Sequence, residues 1–109
     1  MLAAFLVLVL TGCGVDREDY PKVYARATCT QLLECDRGSF ENAYTSMADC
    51  HADWERLASD IADAFDLFGD YDPAAAGKCV RAIRSASCDE FDNGDYDAAC
   101  NDVWSSSGS

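Results

Sequence analysis

Seven cysteines in a chain of 109 residues constrain the fold more than any other feature of this sequence. A domain this small has a high surface-to-volume ratio, so burial alone stabilises its core weakly and covalent cross-links are a common remedy. An odd number of cysteines cannot pair completely within one chain. The count therefore predicts three disulfides, formed in an oxidising compartment, and one cysteine with another role.

The N-terminus suggests that other role. Residues 2–10 form an unbroken apolar run, too short as a helix to cross a hydrocarbon core of about 30 Å. Such a run is typical of an export signal, and it ends in Leu10-Thr11-Gly12-Cys13. This tetrapeptide resembles the lipobox of bacterial lipoproteins, in which a branched apolar residue and two small residues precede a cysteine.

The resemblance implies how the chain is processed. In that family the signal is removed before the cysteine, whose thiol carries a diacylglycerol and whose new amino group is usually acylated as well. Carried over, residues 1–12 form the signal peptide, Cys13 is the lipidated first residue, and residues 13–19 form a tether. In that family, an aspartate directly after the cysteine favours retention in the inner membrane. Gly14 stands at that position, so we expect the outer membrane. The alternative is an ordinary signal peptide followed by a seventh structural cysteine.

One departure from the pattern concerns the start of the signal. Export signals normally carry Lys or Arg before the apolar run, whereas here the run follows Met1 directly. This departure favours a start codon further upstream.

Apolar residues recur at helical spacing throughout residues 20–104, which predicts an all-α domain. The first helix begins near Pro21 and stops at Gly38. Ser46 caps the second and longest helix, which Gly69 terminates. Its apolar stripe, which we expect to be buried, comprises Cys50, Trp54, Leu57, Ile61, Phe65 and Phe68.

The last part of the domain completes the predicted bundle. Asp72 before Pro73 predicts the start of a third helix. Its apolar face comprises Ala76, Cys79, Val80, Ile83 and Ala86. A loop over residues 89–94, a short fourth helix over residues 96–104 and a disordered tail over residues 105–109 follow. The sequence thus predicts a disulfide-stapled bundle of three helices with a short fourth, and no segment alternates like a strand.

Helix geometry restricts how the cysteines pair. Cys29 and Cys35 lie about 9 Å apart along one helix, beyond the ~7 Å limit between bonded α-carbons. An antiparallel hairpin of the first two helices would bring Cys35 next to Cys50. The favoured set is Cys35 with Cys50, Cys29 with Cys88, and Cys79 with Cys100, and the alternative joins Cys29 to Cys79 and Cys88 to Cys100.

A lipobox followed by six cysteines on short helices also resembles small cysteine-rich lipoproteins of gliding soil bacteria. This resemblance implies a fold and a location, and no activity.

The composition points away from one class of partner, because 20 acidic against 8 basic residues give a net charge of −12. Nucleic acid and anionic membrane surfaces are bound through clustered Lys and Arg, so we expect no nucleic-acid partner.

Catalytic side chains are scarce. His51 is the sole histidine, and at helical spacing it points about 100° away from the apolar stripe. No CxxC redox motif is present, and with every mature cysteine paired no free thiol remains for nucleophilic catalysis. We therefore expect a non-enzymatic envelope protein without a cofactor, the alternative being a small envelope enzyme.

Residues 89–97 are rich in carboxylate and amide oxygens, which raises a second alternative, a weak calcium-binding module. Counted from Asp89, an EF-hand would need oxygen ligands where Phe91 and Cys100 stand, although Asn93 and Gly94 fit. The remaining acids of the segment are Asp92, Asp95 and Asp97. We expect a solvated turn and no metal.

Four aspartates on the long helix form an acidic ridge: Asp49, Asp53, Asp60 and Asp63. Like charges four residues apart repel each other by a few tenths of a kcal/mol. The ridge is expected either to be a solvating face or to dock a basic protein or cationic envelope component. If the ridge does not bind, Tyr96 and Trp104 are the next candidates.

Overall fold

The computed structural model describes residues 14–105 and confirms the all-α class. The helices are α1 (Tyr20–Cys35), α2 (Arg37–Ala43), α3 (Met47–Phe65), α4 (Pro73–Ser85), α5 (Cys88–Asn93) and α6 (Asp97–Cys100). Two strands, β1 (Asp70–Tyr71) and β2 (Trp104–Ser105), form a short antiparallel pair. The predicted signal peptide, Cys13 and residues 106–109 lie outside the described residues.

Local capping signals place the starts of two helices as predicted. The Ser46 side chain accepts a hydrogen bond from the Asp49 N–H, which satisfies a free donor at the start of α3. Asp72 accepts from the N–H groups of Ala74 and Ala75, and Pro73 occupies the first turn of α4. These are short-range interactions, so the sequence alone suffices to predict them.

Helix α1 is the centre of the packing. It runs antiparallel to α3 and also contacts α2, α4 and α5. The main core cluster joins α1 to α4 and comprises Tyr20, Ala27, Ala76, Cys79, Val80, Ile83 and Val103. A smaller cluster of Cys29, Phe40 and Cys50 joins α1 to α2 and α3. Buried Gln31 donates to the carbonyls of Ile83 and Ala86, each at 2.7 Å, and so fixes α1 to the end of α4.

Of the predicted apolar stripe, Cys50 is buried and Trp54 partly buried as expected, but the later residues are exposed. Leu57, Ile61 and Phe65 keep 44%, 45% and 48% of their surface exposed. The buried line of α3 instead runs through small residues, Ala58 and Ala62, which allow its backbone to approach α1 closely. This contact places the large side chains at the edge of the helix pair.

Two short helices, α2 and α5, differ from the prediction. Gly38 does not end the first helix, because α1 already ends at Cys35 and Gly38 lies within α2. The expected loop at residues 89–94 is mostly α5, which Ser87 and Glu90 start with a reciprocal capping box. Gly94, at φ 72°, then ends α5 in the left-handed region.

The fourth helix is shorter than predicted. α6 ends at Cys100, and Trp104 and Ser105 pair with Tyr71 and Asp70 instead of forming a helix end and a tail. Buried Val103 explains the extended path, because its carbonyl accepts a 2.8 Å hydrogen bond from the Asp72 N–H. The sequence had no alternating pattern to reveal strands of two residues.

All six cysteines of the domain form disulfides, as predicted, but two of the three expected pairs are wrong. Cys79–Cys100 is confirmed. The other bridges are Cys29–Cys50 and Cys35–Cys88, so neither Cys35–Cys50 nor Cys29–Cys88 forms, and the alternative set is also wrong. Because α2 fills the connection between α1 and α3, Cys50 lies opposite Cys29 rather than opposite the end of α1.

Candidate functional site

An aromatic groove lies between α1, α3 and the chain around the end of α6. It encloses about 190 Å³. The walls of this aromatic groove are Tyr20, Tyr24, Trp54, Leu57, Ala58, Ile61, Phe65, Cys100, Asn101 and Trp104. The exposed stripe of α3 therefore forms one wall, with its large side chains directed along an open cleft rather than into the core.

Ring contacts fix the shape of the groove at one end. The Trp104 ring meets Tyr20 edge to face, with centroids 5.5 Å apart, and lies 5.3 Å from Phe65. The ring centroids of Tyr24 and Trp54 lie 6.5 Å apart, with the ring planes tilted by 45°. Aromatic pairs at these distances favour defined orientations, so the groove is largely formed before any ligand enters.

The tyrosines of the groove stay neutral at ordinary pH. Burial raises the pKa of Tyr20, whose hydroxyl lies 3.6 Å from the Cys79 Sγ. Burial also raises the pKa of Tyr24, and the nearby negative charge of Asp97 raises it further. The interior of the groove is therefore uncharged and suits apolar groups.

Carboxylates border this uncharged interior. Asp53 and Asp60 are exposed and stand four residues before and three residues after Leu57, positions that are neighbours on a helix surface. Asp97, at the start of α6, lies near Tyr24. We call Asp53, Asp60 and Asp97 the acidic rim.

The structure shows that the predicted ridge is not uniform. Asp49 accepts hydrogen bonds from Thr45 near the start of α3. Asp53 accepts a 2.8 Å bond from the Tyr44 hydroxyl and a 2.7 Å bond from Arg56. Asp60 has neither a hydrogen bond nor an ion pair with any residue between 14 and 105.

The fourth ridge residue belongs to a separate network. Asp63 accepts from Arg17 at 2.8 Å, and Arg17 also donates to Asp66 at 2.9 Å. The Trp104 indole N–H donates to the other oxygen of Asp66 at 2.7 Å. These two donors hold the pKa of Asp66 below its usual range. The network closes one end of the aromatic groove.

The predicted tether is held against the domain. The Val15 N–H donates to the Pro73 carbonyl at 3.0 Å, and the Tyr71 hydroxyl donates to the Val15 carbonyl at 2.6 Å. With the Arg17 ion pairs, these contacts fix the chain from residue 15 onwards. Their positions could not be inferred from the sequence, because each joins residues far apart in the chain.

The other predicted site residues are not brought together. His51 is partly buried on α3 and forms no hydrogen bond with the described residues. Tyr96 stacks on Phe91 at 5.8 Å and lies outside the groove lining, whereas Trp104 forms part of it. Among residues 14–105, no three His, Cys, Asp or Glu side chains are placed to hold a metal ion, and this includes the acidic segment of α5 and α6.

Trp54 carries a buried polar atom without a partner. Its indole N–H finds no acceptor among the described residues. A buried unsatisfied donor costs about 1–3 kcal/mol.

Comparisons with protein-family models, with curated proteins and with solved structures each give no match for this chain. None of the helices between residues 14 and 105 combines the length and the hydropathy needed to cross a bilayer.

Proposed function

We propose that this protein is a lipid-anchored protein of the bacterial cell envelope with a non-enzymatic binding role. Residues 1–12 would direct export, and Cys13 would carry the lipid on the outer membrane. The lipobox-like sequence before Cys13 supports the anchor. The three disulfides support an oxidising, exported environment.

The aromatic groove with its acidic rim carries the binding proposal. Its volume of about 190 Å³ is below the ~300–1,000 Å³ of pockets that enclose a drug-sized molecule, and it suits one or two large side chains of a polypeptide. The apolar interior favours Leu, Ile or aromatic side chains, and the carboxylates favour neighbouring Lys or Arg. The occupant we propose is a basic amphipathic segment of a protein partner.

The chemistry of the lining supports binding over catalysis. The hydroxyls of Tyr20 and Tyr24 remain protonated, and Cys100 is held in a disulfide. Within the lining no nucleophile stands beside a general base. The groups present can bury apolar surface and attract positive charge.

A labelled synthetic helical peptide of leucine and lysine tests this proposal by fluorescence anisotropy. We expect Ile61→Asp to weaken binding by about tenfold or more, because a charge enters the apolar wall. The pair Asp53→Asn and Asp60→Asn should weaken binding at low salt and have less effect at high salt, where screening already acts.

The matched control is the pair Asp89→Asn and Asp92→Asn, which removes the same charge from α5, none of whose residues lines the groove. Polylysine, which lacks apolar side chains, should bind more weakly than the peptide and should not respond to Ile61→Asp. Equal binding of the peptide by the wild type, the Ile61 variant and the rim variant would refute the groove as the site.

A further inference from the structure

We propose that Leu67 and Phe68 form a second contact with the membrane, by inserting into the interfacial region of a zwitterionic bilayer next to the lipid anchor. We call these two residues the apolar tip. The inference rests on the proposed function, because the anchor at Cys13 brings the domain to the bilayer. It adds a defined orientation of the domain on the membrane.

The apolar tip is the most exposed large apolar surface of the described residues. Leu67 is 81% exposed and Phe68 is 76% exposed. Isolated exposed apolar side chains are common on protein surfaces, whereas two adjacent bulky ones with so little packing call for a partner. Neither residue belongs to a core cluster of the domain.

The turn that carries the apolar tip is ordered by its backbone. Leu67 N–H donates to the Ala64 carbonyl at 3.2 Å, and Phe68 N–H donates to the Phe65 carbonyl at 2.9 Å. Gly69 N–H donates to the same Phe65 carbonyl at 3.1 Å. The chain therefore presents both side chains from a fixed turn at the end of α3.

The start of the described chain lies at the same end of the domain. Arg17 pairs with Asp66, the residue immediately before the apolar tip. The Tyr71 hydroxyl binds the Val15 carbonyl, and Tyr71 follows Phe68 by three residues, at most about 10 Å of chain. Contacts on both sides of the apolar tip thus hold residues 15–17 beside it.

The proposed lipid is attached close to this point. Gly14 packs near Pro73. The proposed lipidation site, Cys13, is the residue directly before Gly14 in the sequence. No long linker separates the proposed lipid from the fixed chain. Acyl chains on Cys13 that enter a bilayer would therefore bring the apolar tip to the same surface.

The carboxylates beside the apolar tip determine which kind of bilayer it can approach. Asp66 and Asp70 flank the apolar tip on either side in the sequence, and both are exposed. Arg17 offsets the charge of Asp66, whereas Asp70 has no ion pair with the described residues. Carboxylates at the membrane surface are repelled by anionic headgroups, and the repulsion is screened over about 8–10 Å at ordinary ionic strength. A zwitterionic surface avoids this repulsion, so it is the surface to which we assign the apolar tip.

Depth-dependent quenching tests the inference on the full-chain protein isolated from membranes. The variant Phe68→Trp is reconstituted in phosphatidylcholine vesicles whose acyl chains carry bromine, a short-range quencher of tryptophan. The matched control is Asn42→Trp, an exposed position on α2, near the opposite end of α1. Both variants are compared with the wild type, so that emission from Trp54 and Trp104 is subtracted.

We expect bromine to quench the added emission of Phe68→Trp at least twofold and to leave that of Asn42→Trp unchanged. Replacing part of the phosphatidylcholine with phosphatidylglycerol should reduce quenching at position 68, and added salt should restore it. Equal quenching at both positions, or none at position 68, would overturn the inference.

Mass spectrometry of the same preparation separates this inference from the proposed function. An acylated Cys13 without quenching at position 68 refutes the apolar tip and leaves the anchor. Quenching at position 68 with an unmodified Cys13 refutes the anchor and leaves the apolar tip. A protein that lacks the lipid and shows no quenching refutes both.

Discussion

Trp104 donates its indole N–H to the carboxylate of Asp66 over 2.7 Å, although 38 residues separate the two in the chain. This hydrogen bond joins the second strand to the end of α3. Because Arg17 binds the same carboxylate, Asp66 connects three distant segments of the chain at the end of the aromatic groove.

Asp66 should make stability depend on acid pH. Its pKa is depressed in the folded state, so its contribution is present above the unfolded value of about 3.9 and is lost as pH falls through the folded value. Asp66→Asn should cost about 1 kcal/mol or less at pH 7, since the pair is exposed. Asparagine can still accept from Trp104.

Urea unfolding of the wild type and Asp66→Asn at neutral and acid pH measures this effect. The difference between the two proteins should shrink as pH falls below the folded pKa of Asp66. A difference that is constant with pH would show that the ion pair with Arg17 contributes nothing. Asp92→Asn on α5 serves as the control for loss of one charge.

Tyrosine ionisation gives a test at alkaline pH. The pKa of each of the five tyrosines is raised, mainly by burial, and that of Tyr71 reaches about 12. Because folding raises these pKa values, the protonated tyrosines stabilise the folded state. This contribution is complete below the ordinary pKa of about 10 and is lost as pH rises through the pKa values of the folded protein.

Near-ultraviolet absorbance of phenolate should therefore show a titration displaced to high pH, which returns toward pH 10 in denaturant. Tyr71→Phe should lose less stability than the wild type between about pH 10 and pH 12, the interval between the pKa of Tyr71 in the unfolded and folded states. A native-state titration centred near pH 10 would contradict the burial of these hydroxyls.

The disulfide that closes the longest loop should contribute most to stability. Cys35–Cys88 spans 53 residues, and Cys29–Cys50 and Cys79–Cys100 each span 21. Chain entropy gives about 4 kcal/mol for the longer loop and about 3 kcal/mol for each shorter one.

Replacing each pair with alanines and measuring unfolding in denaturant tests this order, with non-reducing peptide mapping to confirm the pairs. We expect full reduction to unfold the domain. A peptide that contains Cys35 joined to Cys50 would show that the pairing described above is wrong.

Metabolic labelling tests the anchor. A fatty-acid analogue supplied to cells should label the wild type and not Cys13→Ser, because the thiol is the proposed attachment site. Ser46→Ala, which removes a helix cap elsewhere, controls for effects of lost stability. Equal labelling of wild type and Cys13→Ser would refute lipidation at Cys13.

Short-range signals account for most of what the sequence predicted correctly. The Ser46 and Asp72 caps act within three residues, and both helices begin where these caps place them. The capping box of Ser87 and Glu90 was equally readable and would have revealed α5. The pairing of Cys79 with Cys100 was also predicted correctly.

The groove could not be predicted because it depends on which side of α3 meets α1. Both Leu57 and Ala58 stand on plausible core-facing positions, and hydrophobicity alone favours the larger side chain. Close approach of the two helices instead favours Ala58 and Ala62, and this choice is settled by packing between distant segments. The two wrong disulfide predictions also depend on packing between distant segments. The connection between α1 and α3 contains α2, and Cys50 therefore lies opposite Cys29.

Cys50 links α3 covalently to the rest of the domain near one end only. Cys50 is the fourth of the 19 residues of this helix, and its bridge to Cys29 is the one covalent link between α3 and another helix of the described chain. Phe65 lies about 22 Å further along, so a tilt of about 5° at the bridge moves it by about 2 Å. At that end α3 is held by non-covalent contacts alone, namely the Arg17 ion pairs with Asp63 and Asp66 and the Trp104 hydrogen bond to Asp66, so the width of the cleft there depends on those contacts.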